Sequence, residues 1–558
     1  MPAYPEITRS IGISLPPRGW PLAVLLLLYI IPGLVGHDPW KVEDATAFGV
    51  VYDMLLRAHW LTPSIAGQAY PQAPLYFWSA AACSKLFSWL LPLHDAVRLT
   101  SGLFTLLILG LAHLAARALH GRNYAVAAPL LLAGCIGFLV FSHQTQPMLL
   151  TLAVHFAAYW ALALLEQRPW QAALILGLAL GAGVLGSDLA QIALLLPLAI
   201  FAFAMSNNKL TSCLAVLGAL AIAGALALLW LLPLSTQDAQ YLAAWRRSEL
   251  AQFGSSTQPW KTALDYLNML PWYAWPALPL AGWTLWAKRR LLRTPALALP
   301  LFSFFIILTG LSLSYEARSV SALPLLPPLV LLAVPGIESL RRGAANALDW
   351  FGMMSFTFFA ALLWLGWCAM VFGWPERLAH QVVRLEPGFV GSFSALPFIV
   401  ALLATAAWGW IIVTSPRSPF RGMTHWVAGV ALFWLLAVTL WLPWVDYGKT
   451  YRPLAASLDK ALPANHGCVA GADLTDTLRA SFDYFSGIIT VNNETTAARR
   501  CNLLLTQGSR ADENAPGNGW HKVWEGNRPG DRSEKFRLYR RDGKNTQRMG
   551  SRQENRLD

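Results

Sequence analysis

Along the chain, apolar side chains gather in stretches of about 17 to 25 residues, the length an α-helix needs to cross a hydrocarbon core of roughly 30 Å. Thirteen spans are expected, near 20–36, 99–116, 124–141, 147–165, 171–186, 189–206, 210–233, 269–286, 296–313, 322–336, 350–372, 394–414 and 425–444. Lipid offers no partner for a bare N–H or C=O, so each span is expected to be helical. Tryptophan marks the ends of many runs, as at Trp20, Trp40, Trp230, Trp272, Trp441 and Trp444, where an amphipathic ring meets the membrane–water interface. The two spans that meet at Ser187-Asp188 are close enough to be broken helices instead. After the first run comes His37-Asp38-Pro39-Trp40 and no small-residue cleavage site, which predicts a retained span.

Three segments outside the spans are long enough to carry chemistry: His37 to about Arg98, about Leu234 to Asn268, and everything after Val445. Long connections of this kind are uncommon unless functional. In the last segment, Tyr447–Leu462 reads as a linking helix. Strand-like runs follow at Cys468–Ala470, Ile488–Val491, Asn502–Thr506 and Phe536–Tyr539, with a helix over Leu474–Phe485. That alternation predicts a small α/β domain. The expected division is a membrane part over 1–445, with outer loops near 37–98 and 234–268, an α/β domain over 446–541, and a polar, basic, disordered tail over 542–558.

Composition agrees with a polytopic α-helical membrane protein: 56% of the 558 residues are hydrophobic and 13% charged, more apolar side chain than a soluble chain could bury. The net charge of +12 is spread over interspan loops and the tail, so nucleic-acid binding is not expected. Cations such as Arg117, Arg122, Arg168, Lys209, Lys288-Arg289-Arg290, Arg341-Arg342, Arg417 and Arg421 fall on one side, while the loops 142–146 and 187–188 on the other carry none. This bias predicts a cytoplasmic N-terminus, and thirteen spans then put the C-terminal domain outside. Cys83, Cys135, Cys213 and Cys368 lie in or beside spans and read as packing residues. Cys468 and Cys501 fall in the outer domain, each at the start of an expected strand; neighbouring strands and an oxidising compartment would allow a disulfide.

The first outer loop is the richest in chemistry. Apolar residues recur at helical spacing from Ala45 to Leu56, an amphipathic stretch expected to lie along the bilayer surface. Before it stand Glu43 and Asp44; acids there either cap the helix or serve as a base. Asp188 likewise reads as a cap or a functional acid. His143 and His155 read as packed, hydrogen-bonded side chains. His37, Asp38, Glu43, Asp44, His59 and His94 show no strong metal-ligand spacing, so no cofactor is expected, a divalent ion being the open alternative. No phosphate-binding Gly-rich loop is present, which argues against a nucleotide-driven pump.

Within this loop Glu43-Asp44, Met54, His59-Trp60-Leu61-Thr62-Pro63, Gly67, Pro74-Leu75-Tyr76-Phe77-Trp78 and Ala96-Val97-Arg98-Leu99 stand in order over about sixty residues. In this the chain resembles the protein mannosyltransferase-like membrane glycosyltransferases, in their aminoarabinose-transferase-like branch. Gln144-Thr145-Gln146, the run Gly177–Gly186, and Tyr315-Glu316-Ala317-Arg318 leading to Leu323–Pro328 are similar to later parts of that family. The resemblance implies a polyprenyl-phosphate-linked sugar as donor and a lipid, glycan or protein as acceptor. Transfer would take place at the outer face of a bacterial inner membrane, as in modification of lipopolysaccharide or another envelope glycan.

The resemblance also implies that the acidic pair, Glu43 first, supplies the catalytic base, and that cations hold the donor phosphate. Here the chain departs from the pattern. The family's Asp-Glu is Glu43-Asp44, its Glu-Lys is Gln72-Ala73, and the Lys-Gly after the fifth span is Ser187-Asp188. Ala73 cannot make the lysine's phosphate contact, so another cation is expected to: Arg318 first, then Arg246, Arg247 and Lys85, with Arg57, Arg98 and Lys261 further candidates. Arg318 could equally be an interfacial anchor paired with Glu316. Two other classes stay open: a transporter or lipid-linked-sugar flippase, and a catalytically silent relative acting as a partner subunit.

Overall fold

The structure, a computed structural model, describes residues 19–541 except 315, 417, 464–465, 510–512, 514 and 532. Tyr315, Arg417 and the tail 542–558 therefore lie outside the described residues. All thirteen apolar intervals are helical over most of their length. Seven described helices are long and apolar enough to cross a membrane by length and composition, or eight if the pair bent by 74° at Cys135 is one span. Four more are apolar but shorter, Trp20–Ile30, Met148–Leu164, Leu189–Met205 and Leu323–Ala333. The interval 269–286 is divided at Trp275-Pro276 into Pro259–Tyr273 and Ala277–Ala287, because proline cannot continue the hydrogen-bond ladder of the helix before it. Small residues set the closest packing: a Cβ on Gly177 or Gly181 would stand 2.7 Å from Ile222 or 2.6 Å from Leu226. The helix Pro169–Gly186 thus presses directly on Lys209–Gln237.

Four helices position the site: α1 (Glu43–Arg57), α2 (Leu75–Phe87), α3 (Met148–Leu164) and, in the C-terminal domain, α4 (Asp476–Ser486). That domain holds a five-stranded sheet of β1 (Val469–Ala472), β2 (Thr490–Asn492), β3 (Leu503–Gly508), β4 (Trp520–Gly526) and β5 (Lys535–Arg541), in the order β2-β1-β3-β5-β4. β1 is parallel to β2 and β3, while β5 is antiparallel to β3 and β4. Leu478 and Phe482 of α4 pack with Val469, Leu505, Phe536 and Leu538 as its core. Just before the adjacent strands β1 and β3, Cys468 and Cys501 are disulfide-bonded with Cα atoms 5.1 Å apart. β4 was not expected from the sequence; it is an edge strand with most side chains toward solvent, so it lacks the apolar alternation that reveals half-buried strands.

The expectation that Ala45–Leu56 lies on the bilayer surface is overturned. α1 is enclosed, with Ala47, Phe48, Val50, Val51 and Met54 all buried, because α4 docks on it. A Cβ on Gly49 would stand 2.3 Å from the Cβ of Ala480, so glycine is what lets the two backbones meet. Arg57 donates to both carboxylate oxygens of Asp483 at 2.9 and 3.0 Å, and Thr46 shares a 2.8 Å hydrogen bond with Thr477. Arg479 donates to the Ile65 carbonyl at 3.0 Å. The first loop and the C-terminal domain are packed as one body.

Candidate functional site

The starts of α1, α2, α3 and α4 converge on a cavity of about 800 Å³. Glu43 opens α1, Gln72-Ala73 precede α2, Gln146-Pro147-Met148 open α3, and Thr475-Asp476-Thr477 open α4; all line the cavity. The C-terminal domain thus supplies one wall and the membrane helices the others.

Glu43 and Asp44 are adjacent in sequence and opposite in role. Glu43 is half-buried with its side chain on the cavity. Asp44 is 1% exposed and faces inward. It accepts from the Trp40 N–H at 2.9 Å, the Thr145 N–H at 2.7 Å and the Arg98 guanidinium at 3.3 Å. Burial alone would raise its pKa, but Arg98, His37 and those backbone donors outweigh it and hold the carboxyl below its ordinary value. Arg98, fully buried, also donates to Asp95 at 2.9 Å and to the carbonyls of His37 and Asp38 at 3.2 Å. Asp44 and Arg98 therefore fix the loop and are closed to a ligand, while Glu43 is open to one.

A second buried acid, Asp53, was not singled out from sequence. It accepts from Ser64, from Arg57 and, at 3.0 Å, from the Gly67 N–H. Gly67 has φ +74°, a conformation that glycine adopts at no steric cost, which accounts for that position in the motif. Together these bonds fold 58–67 back over α1.

Of the predicted phosphate-binding cations, Arg318 alone lines the cavity among the described residues. It is largely exposed and stands 3.6 Å from Glu316, so the expected ion pair and the cavity position coexist. Arg246, Arg247 and Lys261 are exposed and outside the lining. Lys85 points away over the Trp60 ring at 4.6 Å, and Arg57 is taken up by Asp53 and Asp483. Ala73 faces the cavity, so the place of the missing lysine is a bare methyl group in the wall.

Carboxylates outnumber that one guanidinium: Glu43, Asp188, Glu249, Glu316 and Asp476 all contribute to the lining. Of the two readings of Asp188, the cap is not the one seen, since its side chain makes no cap bond; Glu249 accepts from the Leu189 N–H at 2.7 Å instead. Glu249 is 2% exposed, and burial, then the Asp188 charge, push its carboxyl up to about 7. Its importance could not be read from sequence, because it rests on a contact sixty residues away. His143 is packed as expected, with ring nitrogens 2.6 and 2.7 Å from the Leu139 and Tyr29 carbonyls. His155 departs from that expectation, since neither ring nitrogen has a partner. Among the described residues no group of three His, Cys, Asp or Glu is placed to hold a metal ion.

Residues 71–235 match the family model described as dolichyl-phosphate-mannose-protein mannosyltransferase. An undecaprenyl phosphate-alpha-4-amino-4-deoxy-L-arabinose arabinosyl transferase of Pseudomonas aeruginosa (strain LESB58) is 27% identical over 436 residues, 74% of this chain and 73% of the relative. An enzyme of the same name from Yersinia enterocolitica is 26% identical over 441 residues, 75% and 74% of the two chains. The crystal structure of ArnT from Cupriavidus metallidurans bound to undecaprenyl phosphate superposes with a TM-score of 0.66 at 17% identity, covering 93% of this chain and 97% of that one, a likeness of fold. In the match over residues 71–235, the relatives along three quarters of its length and the multi-helix fold with its small sheet domain, this chain is similar to the protein mannosyltransferase-like and aminoarabinose-transferase-like membrane glycosyltransferases.

Proposed function

We propose that this chain transfers a sugar from a polyprenyl-phosphate donor to a hydroxyl of a lipid, glycan or protein at the outer face of a bacterial inner membrane, with Glu43 as the base. The observation that carries the residue assignment is the contrast between neighbours: Asp44 is saturated by fixed donors while Glu43 opens on the cavity. The acceptor oxygen attacks the anomeric carbon, Glu43 takes the hydroxyl proton, and the bond to the phosphate oxygen breaks with its electron pair leaving on polyprenyl phosphate. Arg318 is the cation at hand to steady that charge. The carboxylate excess of the cavity suits a sugar or acceptor bearing an amine, in keeping with the amino sugar in the names of the relatives. In this orientation the N-terminus is cytoplasmic and the C-terminal domain periplasmic, as the distribution of loop cations supports.

Mass spectrometry of envelope lipids and glycans from wild-type, deletion and Glu43→Gln cells tests this function. One sugar substituent is expected to disappear in both mutants. Deletion without loss of any substituent would overturn the proposal, and loss in the deletion but not in Glu43→Gln cells would favour a flippase or a silent partner subunit.

A further inference from the structure

The starts of α2 and α3 differ from the other two helix starts on the cavity. α1 carries Glu43 and Asp44 in its first turn and α4 carries Asp476. α2 and α3 carry neither an acid in the first turn nor a capping side chain at the residue before it. They also come together. A Cβ on Gly186 would stand 2.3 Å from the Leu150 side chain of α3, 3.0 Å from the Leu75 side chain and 3.3 Å from the Tyr76 nitrogen of α2. The Gln146 N–H donates to the Tyr76 hydroxyl at 2.8 Å, a direct tie between the two starts. Two positive dipole ends thus face one part of the cavity with no side-chain anion from their own first turns.

Gln146 stands at this point, 3% exposed. Its Oε1 accepts from the Met148 N–H at 3.1 Å. Only the oxygen of an amide can accept, so the orientation of the group is fixed and its NH2 is left over. That Nε2 is buried and has no partner, although Gln146 lines the cavity. Buried donors are nearly always satisfied, and one without an acceptor points to a missing partner. The missing partner must accept, and it meets two helix starts that favour negative charge.

We propose that the oxygens of the donor's phosphate are held here, by Gln146 Nε2 and the N-terminal ends of α2 and α3. This rests on the cavity being the transfer site, and it gives the phosphate a place that needs no lysine. Gln146 is kept in frame with Glu43 by the bond from the Thr145 N–H to Asp44, the neighbours of both residues. Arg318, exposed and shared with Glu316, then screens the phosphate from outside and contributes less to its binding than the amide does.

The test is equilibrium binding of undecaprenyl phosphate, with no sugar attached, to the purified full chain. Gln146→Ala, Gln146→Glu, Gln146→Lys and Arg318→Ala are measured beside the wild type, with thermal unfolding as the control for folding. Gln146→Ala is expected to weaken binding about tenfold, the loss of one hydrogen bond to a charged group. Gln146→Glu, which turns the donor into an anion of the same shape, is expected to weaken it further. Gln146→Lys is expected to restore it with a steeper salt dependence than the wild type, and Arg318→Ala to have the smallest effect. Wild-type affinity in both Gln146→Ala and Gln146→Glu would overturn the proposal. Failure of the wild type itself to bind undecaprenyl phosphate would instead overturn the functional reading beneath it.

Discussion

The two long segments between membrane helices reach the same cavity by different physics. Segment 37–98 is held by buried charge: Arg98 joins Asp44 to Asp95, and Asp53 gathers Arg57, Ser64 and Gly67. Segment 234–268 is held mainly by apolar packing, with Tyr241 and Trp245 against Trp230 and Leu234, its one buried acid, Glu249, resting on the Leu189 N–H rather than on a cation, while Arg246 and Arg247 stay in solvent. One hydroxyl links the two, as Tyr241 donates to the Tyr70 carbonyl at 2.6 Å and so holds the turn before Gln72-Ala73. A network of buried charges needs particular residues at particular spacings, whereas an apolar seam accepts many sequences. That is why the first segment announces itself in the sequence and the second does not.

The sharpest way to break this contrast is to remove the hub of the first segment. Arg98→Met leaves Asp44 and Asp95 buried without their cation, a loss of about 3–5 kcal/mol. Thermal unfolding of the purified chain is expected to show it as a large fall in Tm. Arg246→Ala, in the second segment, is expected to stay within about 0.5 kcal/mol of wild type. Equal effects of the two substitutions would erase the distinction.

The disulfide bears on the wall that both segments face. Cys468→Ser with Cys501→Ser is expected to cost the C-terminal domain about 3–4 kcal/mol by the chain-entropy account of a loop of this length. Without reductant, the denatured wild-type chain should take no alkylating mass at either cysteine; modification of both would show the bond to be absent.

A smaller effect, set by pH, belongs to the second segment. The Glu249 carboxyl is raised from 4.5 to about 7, so between those values the folded chain holds a proton that the unfolded chain has released. Its contribution to stability therefore falls as pH rises through that window and stays low above it. Glu249→Gln keeps an acceptor for the Leu189 N–H and removes the titration. Relative to wild type, the variant is expected to gain Tm between pH 5 and pH 8; a constant difference would place the Glu249 pKa at its ordinary value.

Much of the fold was legible because burial in lipid imposes one simple pattern, and every apolar interval became helix. Its breaks were less legible: Pro276 stands at one, yet the bend at Cys135 has no proline to mark it. Of the cavity lining, Glu43 was singled out through its motif. The enclosure of α1 was not legible, because its second apolar face is covered by α4, more than four hundred residues away. The amphipathic pattern was correct and its partner was mistaken: a protein surface and a bilayer surface ask the same of a helix. Gln146 was named in the sequence only as part of a matching segment, and Glu249 and Thr475–Thr477 gain their meaning only from long-range contacts, so spacing along the chain could not reveal those two.

The most direct measurement of the central claim is single-turnover sugar transfer by Glu43→Gln beside Asp44→Asn, with undecaprenyl phosphate binding and Tm recorded for each. Glu43→Gln is expected to lose about 10²- to 10⁴-fold in rate while keeping the wild-type Tm and affinity. Asp44→Asn is expected to lower Tm through the Arg98 network. Wild-type turnover in Glu43→Gln would contradict the assignment of the base.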